Sequence, residues 1–317
     1  MLTFIISAIR LGITFLYGST GEILTEKSGH LNLGIPGIMC VGAVSGIWAE
    51  SVYLASLSGA GANAFLAVLI PIIASFIGAS AMGFLYCFLT VSLRANQNVT
   101  GLALTTLGVG ITNYIIAQLD AISYSRANIY FSSLFPFYEK LGVFGKLFLS
   151  YGPMVYLAII IALVSAFVLT KTRVGLALRS VGENPATADA AGINVSLYRY
   201  VATCIGSGIA GLGGLFYIMD YLNGNWEYSI DAMGWLSIAL VIFTVWRPNI
   251  SIFGSFLFGG LYIAYNYISG ITFAEKELLK MIPYVVTIVV LIITSIRSKK
   301  ENQPPQALGL PYFREDR

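Results

Sequence analysis

The chain has 317 residues, 57% of them hydrophobic and only 10% charged. A soluble domain carries about a quarter charged residues, so the composition excludes an ordinary water-soluble fold and puts most of the surface in lipid. A net charge of +3 offers nothing to a nucleic-acid partner, which is held mainly by phosphate neutralisation.

Leu2 to Thr20 is apolar and about long enough to cross a hydrocarbon layer of roughly 30 Å. It lacks the basic start and small-residue cleavage site of a signal peptide, which makes it the first span. A polar link, Gly21 to Gly37, then runs into glycine and proline. The second span covers Leu33 to Glu50, its start broken by Gly34, Pro36 and Gly37. Ala64 to Val91 is the third, and RANQN (Arg94 to Asn98) links it to the fourth, Val99 to Leu119.

Asp120 to Ser150 is the longest connection. Its rings (Tyr124, Tyr130, Phe131, Phe135, Phe137 and Tyr138) suit the headgroup level. Tyr151 to Thr170 is the fifth span, and Tyr198 to Leu222 the sixth. In the sixth, Ala202, Gly206, Ala210 and Gly214 recur every four residues, the stripe that lets helices approach closely in lipid. Met233 to Trp246, Ile252 to Ile268 and Leu279 to Ile296 complete the set. The expectation is an all-α integral membrane bundle of about nine (8–10) transmembrane helices. A single transmembrane domain covers residues 1–298, with a central loop at 171–197 and a polar tail at 299–317.

The basic residues orient it. With the tail inside, Lys27, Arg94, Lys171, Arg173, Arg179, Arg199, Arg247, Arg297, Lys299, Lys300, Arg314 and Arg317 are cytoplasmic. Arg126, Lys140, Lys146, Lys276 and Lys280 are external. The N-terminus is then outside. Arg10 lies within the first span and is expected to snorkel to an interface.

Between spans five and six lies KTRVGLALRSVGENPATADAAGINV, Lys171 to Val195. Asn184 is a good N-cap and Pro185 suits the first helical turn. Ala186 to Ala191 favour helix, and Gly192 stands at the left-handed stop. A helix of about two turns, roughly 10 Å long, is too short to cross a membrane. Its local signals fit both a capped connector and a peg for a groove in another protein.

The chain has no GxxxxGK[ST] phosphate cradle, no HExxH and no GxSxG. Cys40, Cys87 and Cys204 sit in apolar runs, and His30 is the sole histidine. No catalytic set, metal site or resident cofactor is expected. Glu50, Asp120, Asp220 and Asp231 fall at span ends, leaving no charge relay at mid-depth. A path without buried charge fits a neutral polar solute. Candidate lining groups are Asn32, Gly34, Gly37, Asn96, Asn98, Thr106, Asn113 and Trp235. Gln97, Thr100, Thr105, Ser237, Tyr217 and Phe243 offer further amide, hydroxyl or ring contacts. The broken stretch Asn32–Gly37 is the stronger pointer, because non-helical backbone in a membrane needs protein or a cavity to receive it.

Three blocks carry a resemblance. GEILTEKSGHLNLGIPGIMCVGA resembles the ERSG-x-x-NLG-x-x-G block of permease subunits in the ribose, nucleoside and branched-chain amino acid group of ABC importers. ALRSVGENPATADAAGINV resembles that group's cytoplasmic loop. VIFTVWRPNISIFGSFLFGGLY resembles its later IFG-x-W-x-P block. Pro36 stands where an acidic residue is common, and Thr244 where glycine is usual. The first block and the LGLPYFREDR tail look nearest to nucleoside-type permeases. The resemblance implies a bacterial cell-membrane subunit with a cytoplasmic C-terminus and no ATP site of its own. It also implies three partners: a second, related permease, a cytoplasmic ATPase with two sites for ATP and Mg, and an external lipid-anchored or periplasmic binding protein. Glu183, Asn184, Pro185, Ala188, Ala191 and Gly192 match the coupling helix that docks on the ATPase. A simple sugar, riboflavin or an amino acid is the alternative cargo. A self-sufficient secondary transporter or channel is the alternative class.

Overall fold

The computed structural model describes residues 1–57, 62–119, 127–132, 135, 137–297 and 303–313, and these are helical with no strand. Among the described residues, six helices are long and apolar enough to cross a membrane. They are α1 (Leu2–Glu26), α2 (Ile35–Ser56), α3 (Ala64–Cys87, continued by a π-turn at Phe88–Ser92), α4 (Gln97–Ile116), α7 (Pro153–Lys171) and α10 (Val195–Phe216, continued by a π-turn at Tyr217–Tyr221). Short helices α5 (Asn128–Ser132) and α6 (Gly142–Phe148) lie between α4 and α7. Helices α8 (Arg173–Glu183) and α9 (Pro185–Ala190) lie between α7 and α10. Three shorter helices occupy the last three expected spans: α11 (Ile230–Phe243), α12 (Pro248–Ile263) and α14 (Ile282–Arg297). Helix α13 (Phe273–Lys280) precedes α14.

Helices α1, α2 and α10 form the centre. Helix α3 packs on α2 and α10, and α4 on α2. Helices α7, α11 and α12 pack on α1, and α14 closes over α11 and α12. Small residues make this centre possible. A Cβ on Gly21 would fall against the carbonyl of Gly206, and one on Gly214 against the carbonyl of Met39. The four-residue stripe of the sixth span is therefore the seam along which α1 and α2 approach α10, gaining backbone-level dispersion contact. Of the connecting rings, Phe131 is fully buried in this core rather than at a headgroup level. Asp120, Tyr124, Arg126, Lys299, Lys300, Arg314 and Arg317 lie outside the described residues.

Three readings are corrected. Gly21 to Glu26 is not link but the last turns of α1. The helix continues because its buried carboxylates find donors: Glu22 accepts from the Asn32 backbone N–H at 3.2 Å, and Glu26 from the Trp246 indole N–H. Arg10 does not snorkel. Its Nη2 lies 2.8 Å from Asp220 Oδ1 and 2.5 Å from the Asp220 carbonyl oxygen, and Nε lies 3.1 Å from Oδ1. The π-turn at Tyr217–Tyr221 supplies this geometry, since the widened turn carries Asp220 to face α1. The acids at span ends are nonetheless buried, Glu22, Glu26, Glu50 and Asp220 alike. The inference from missing charge to neutral solute therefore fails as stated.

The links at 27–34, 94–97, 172–194 and 246–248 meet at one end of the bundle, together with residues 303–313. The meeting is marked by Leu31 N–H on Gln97 (2.9 Å), Ala307 N–H on the Gly182 carbonyl (2.9 Å) and Gly309 N–H on the Gly29 carbonyl (3.1 Å). These are the connections expected to share one side of the membrane.

Candidate functional site: the α8–α9 elbow and the solute path

Helix α9 stands where its caps place it. Asn184 Oδ1 accepts the Thr187 N–H at 3.0 Å, and Pro185 occupies the first turn. Gly192 has φ +84°, and the Ile193 N–H returns to the Ala188 carbonyl at 3.0 Å. Only a residue without a Cβ takes that φ at little cost.

The sequence reading missed α8 as a separate helix. Its signal was present: Thr172 caps it, bonding the Gly175 N–H at 3.1 Å, and Val174, Leu178 and Val181 follow at helical spacing. Together α8 and α9 form an elbow. Ala188 turns inward onto Val181 and Val195, beside Ile193, Tyr198 and Tyr312. Glu183, Asn184, Ala191 and Gly192 stay exposed, with Pro185 half-buried. The six residues thus divide into an inward anchor and an outward surface.

Residues 303–313 of the segment read as a polar tail are docked here. Tyr312 donates to Asp189 Oδ2 at 2.8 Å, Arg199 Nη2 reaches the Leu310 carbonyl at 3.4 Å, and the Arg94 guanidinium sits 4.6 Å from the Phe313 ring centre. Pro305 and Ala307 are buried. Beneath the tail, His30 is fully buried, 3.2 Å from Thr203 Oγ1 and edge-on to Tyr86. Burial and the nearby Arg199 push its pKa well below the ordinary 6.5, so the ring is neutral. Burial also lowers the Lys27 ammonium, against the upward pull of Glu183 and Glu26.

The eight path residues do not converge. Asn32 is buried, its Oδ1 on the Gly34 N–H at 2.9 Å. Gly37 is pressed against Leu104 and Thr105 of α4, and Gly34 lies near Leu104 and Gly101. These three residues build a joint rather than a lining. Asn96 caps α4, accepting from the Asn98 and Val99 N–H groups. Asn98, Thr106 and Asn113 share one exposed stripe of α4. Such polar groups on an outward helix face in lipid need a partner or water. Trp235 stands apart, in a cleft between α11 and α14. Pro36 packs on Gly234 of α11 while Gly37 packs on Leu104 and Thr105 of α4, so the broken start of α2 is a wedge between α4 and α11.

A polytopic bundle with close glycine crossings and a short capped elbow at one end is the architecture of a multi-pass membrane protein. Residues 4–291 match the family described as branched-chain amino acid transport system / permease component, and the chain belongs to that family. NupC of Lactococcus lactis, a nucleoside ABC transporter permease, is 32% identical over 87% of this chain and 87% of its own. NupQ of Bacillus subtilis, a guanosine ABC transporter permease, is 30% identical over 93% and 91%. TsgC13 of Haloferax volcanii, named for glucose, is 29% identical over 98% and 97%. In fold, the chain resembles a solved inward-facing metal-chelate type ABC transporter at a TM-score of 0.51 and 13% identity, over 92% of this chain and 85% of the other.

Proposed function

We propose that this chain is the permease of an ABC importer for nucleosides. It would work beside a second, distinct permease, a separate ATPase that holds ATP and Mg, and an external binding protein. The reading rests on the nucleoside relatives that align along most of the chain. The α8–α9 elbow would face the cytoplasm with the C-terminus, and Glu183, Asn184, Ala191 and Gly192 would meet the ATPase while Ala188 holds the elbow to the bundle. A pushed elbow would drag α10, which follows it in the chain, and α1, which packs against α10 at Gly206. Replacing Ala191 with Arg at this exposed position should leave the assembled complex hydrolysing ATP while nucleoside uptake drops at least about tenfold, a barrier rise of about 1.4 kcal/mol. Normal uptake by that variant would remove the docked elbow. A radiolabel panel of nucleosides, ribose, glucose, riboflavin and amino acids, in cells lacking the native gene, tests the cargo. The glucose-named relative favours a sugar as the second reading. Uptake without any ATPase would instead assign a secondary transporter or channel.

A further inference from the structure

The cleft between α11 and α14 has no role in the elbow mechanism. It is an open, mostly apolar groove of about 500 Å³, lined by Asp231, Trp235 and Ile238 of α11 and by Tyr284 and Thr287 of α14, among others. That volume falls within the range of about 300–1,000 Å³ found for small-molecule sites. Asp231 and Trp235 are one turn apart and share a face. The neighbouring Gly234 is pressed on Pro36, so the backbone carrying Trp235 is seated against α2 and cannot drift.

Each group fits a different part of one ligand. An ionised carboxylate only accepts hydrogen bonds and offers two oxygens, which suits two adjacent hydroxyls. Asp231 lies in the first turn of α11, where the helix end favours negative charge, and among the described residues its carboxylate has no hydrogen-bond or ion-pair partner. Trp235 offers a flat π-face to a ring. Thr287 spends its hydroxyl proton on the Pro283 carbonyl at 2.9 Å, which leaves the oxygen to accept from a base N–H. The spacing is asymmetric in a useful way: a charged acceptor at the helix start, and an aromatic platform about 6 Å further along the axis.

The geometry points to a nucleoside subsite in this cleft, with Asp231 accepting the vicinal ribose hydroxyls and Trp235 stacking the base. The inference rests on the nucleoside reading above and adds to it a place and an orientation. A 2′-deoxynucleoside loses one of the two hydroxyl contacts, and free ribose loses the stack. Asp231 is therefore the specificity-determining residue for ribose, and Trp235 for the presence of a base.

Photolabelling tests this without the binding protein, whose own preferences would mask the permease. The full transporter complex in nanodiscs is exposed to 5-azidouridine and to 8-azidoguanosine, and labelled peptides are mapped. Label is expected within residues 230–243 or 282–297, competed about tenfold better by the ribonucleoside than by its 2′-deoxy form, and hardly by ribose. Asp231→Asn should erase that tenfold preference while keeping the label. Trp235→Ala should cut labelling about tenfold, and Trp235→Phe should restore most of it. Proper assembly of each variant is read from its ATPase activity. Label elsewhere, a ribose preference unchanged in Asp231→Asn, or competition by ribose equal to that by the nucleoside would overturn the subsite. A parallel uptake assay with the binding protein present separates the two layers. If nucleosides enter but the cleft is not labelled, only the subsite falls; if no nucleoside enters, the function reading falls with it.

Discussion

The two ends of the bundle are held together by different means. At the elbow end, hydrogen bonds of fixed direction join segments far apart in sequence. Glu26 takes the Trp246 indole N–H, Tyr86 donates to the Leu31 carbonyl at 2.7 Å, Gln97 takes the Leu31 N–H, and the 303–313 segment ties Gly182 to Gly29. At the opposite end the polar link between α1 and α10 is the Arg10–Asp220 pair. Tyr17 adds a bond to the Met154 carbonyl at 2.7 Å, Asn128 donates to the Asn223 carbonyl at 2.7 Å and Tyr267 to Ser7 at 3.4 Å, beside ring packing such as Phe4 edge-on to Tyr267. A network shares a displacement among all its members, whereas a single pin either holds or releases. The elbow end thus spreads a load over several hydrogen bonds, while the ion pairing between α1 and α10 at the far end rests on one pair.

Breaking the pin should have the largest effect. Arg10→Ala leaves the Asp220 carboxylate, 1% exposed, without its cation. Loss of one partner from a buried pair costs about 3 kcal/mol, so the thermal midpoint of the purified protein should fall by several degrees. Asp220→Asn in the same background should recover part of the loss, because the uncompensated charge is gone. A midpoint unchanged in Arg10→Ala would show that the pin carries no load.

The network should yield less to a single cut. Trp246→Phe keeps a smaller aromatic ring and removes the N–H from Glu26, a loss of about 2 kcal/mol for a buried acceptor. Its neighbours share the strain, so the midpoint should drop less than for Arg10→Ala. An equal or larger drop would invert the comparison.

The smallest effect is pH-dependent and belongs to the network end. His30 is neutral when folded, while the unfolded chain takes up a proton below the ordinary pKa of 6.5. Protons bind the unfolded state more, so stability rises with pH up to about 6.5 and is lost as pH falls below it. A thermal scan between about pH 7 and pH 5 should show the decline, and His30→Gln should flatten part of it.

How much was legible depended on range. Apolar length, the Asn184 cap, Pro185, Gly192 and the small-residue stripe act within a few residues, and each stands where the sequence places it. The path residues were chosen by polarity alone, which says nothing about facing. Gly34 and Gly37 proved to be packing contacts, while Asp231, Tyr284 and Thr287 gained interest only because α14 folds back over α11.

By itself, then, the sequence determined the solvent, the long helices, the family blocks and the capped helix α9, because hydropathy, caps and turn conformations are local properties of the chain. Tertiary structure alone decided that Arg10 pairs with a carboxylate 210 residues away, that Glu22 and Glu26 extend α1 into the link, and that the tail clasps the elbow. The physical reason is that a buried charge or hydrogen-bonding group takes whichever complement packing delivers. No spacing along the chain encodes that partner.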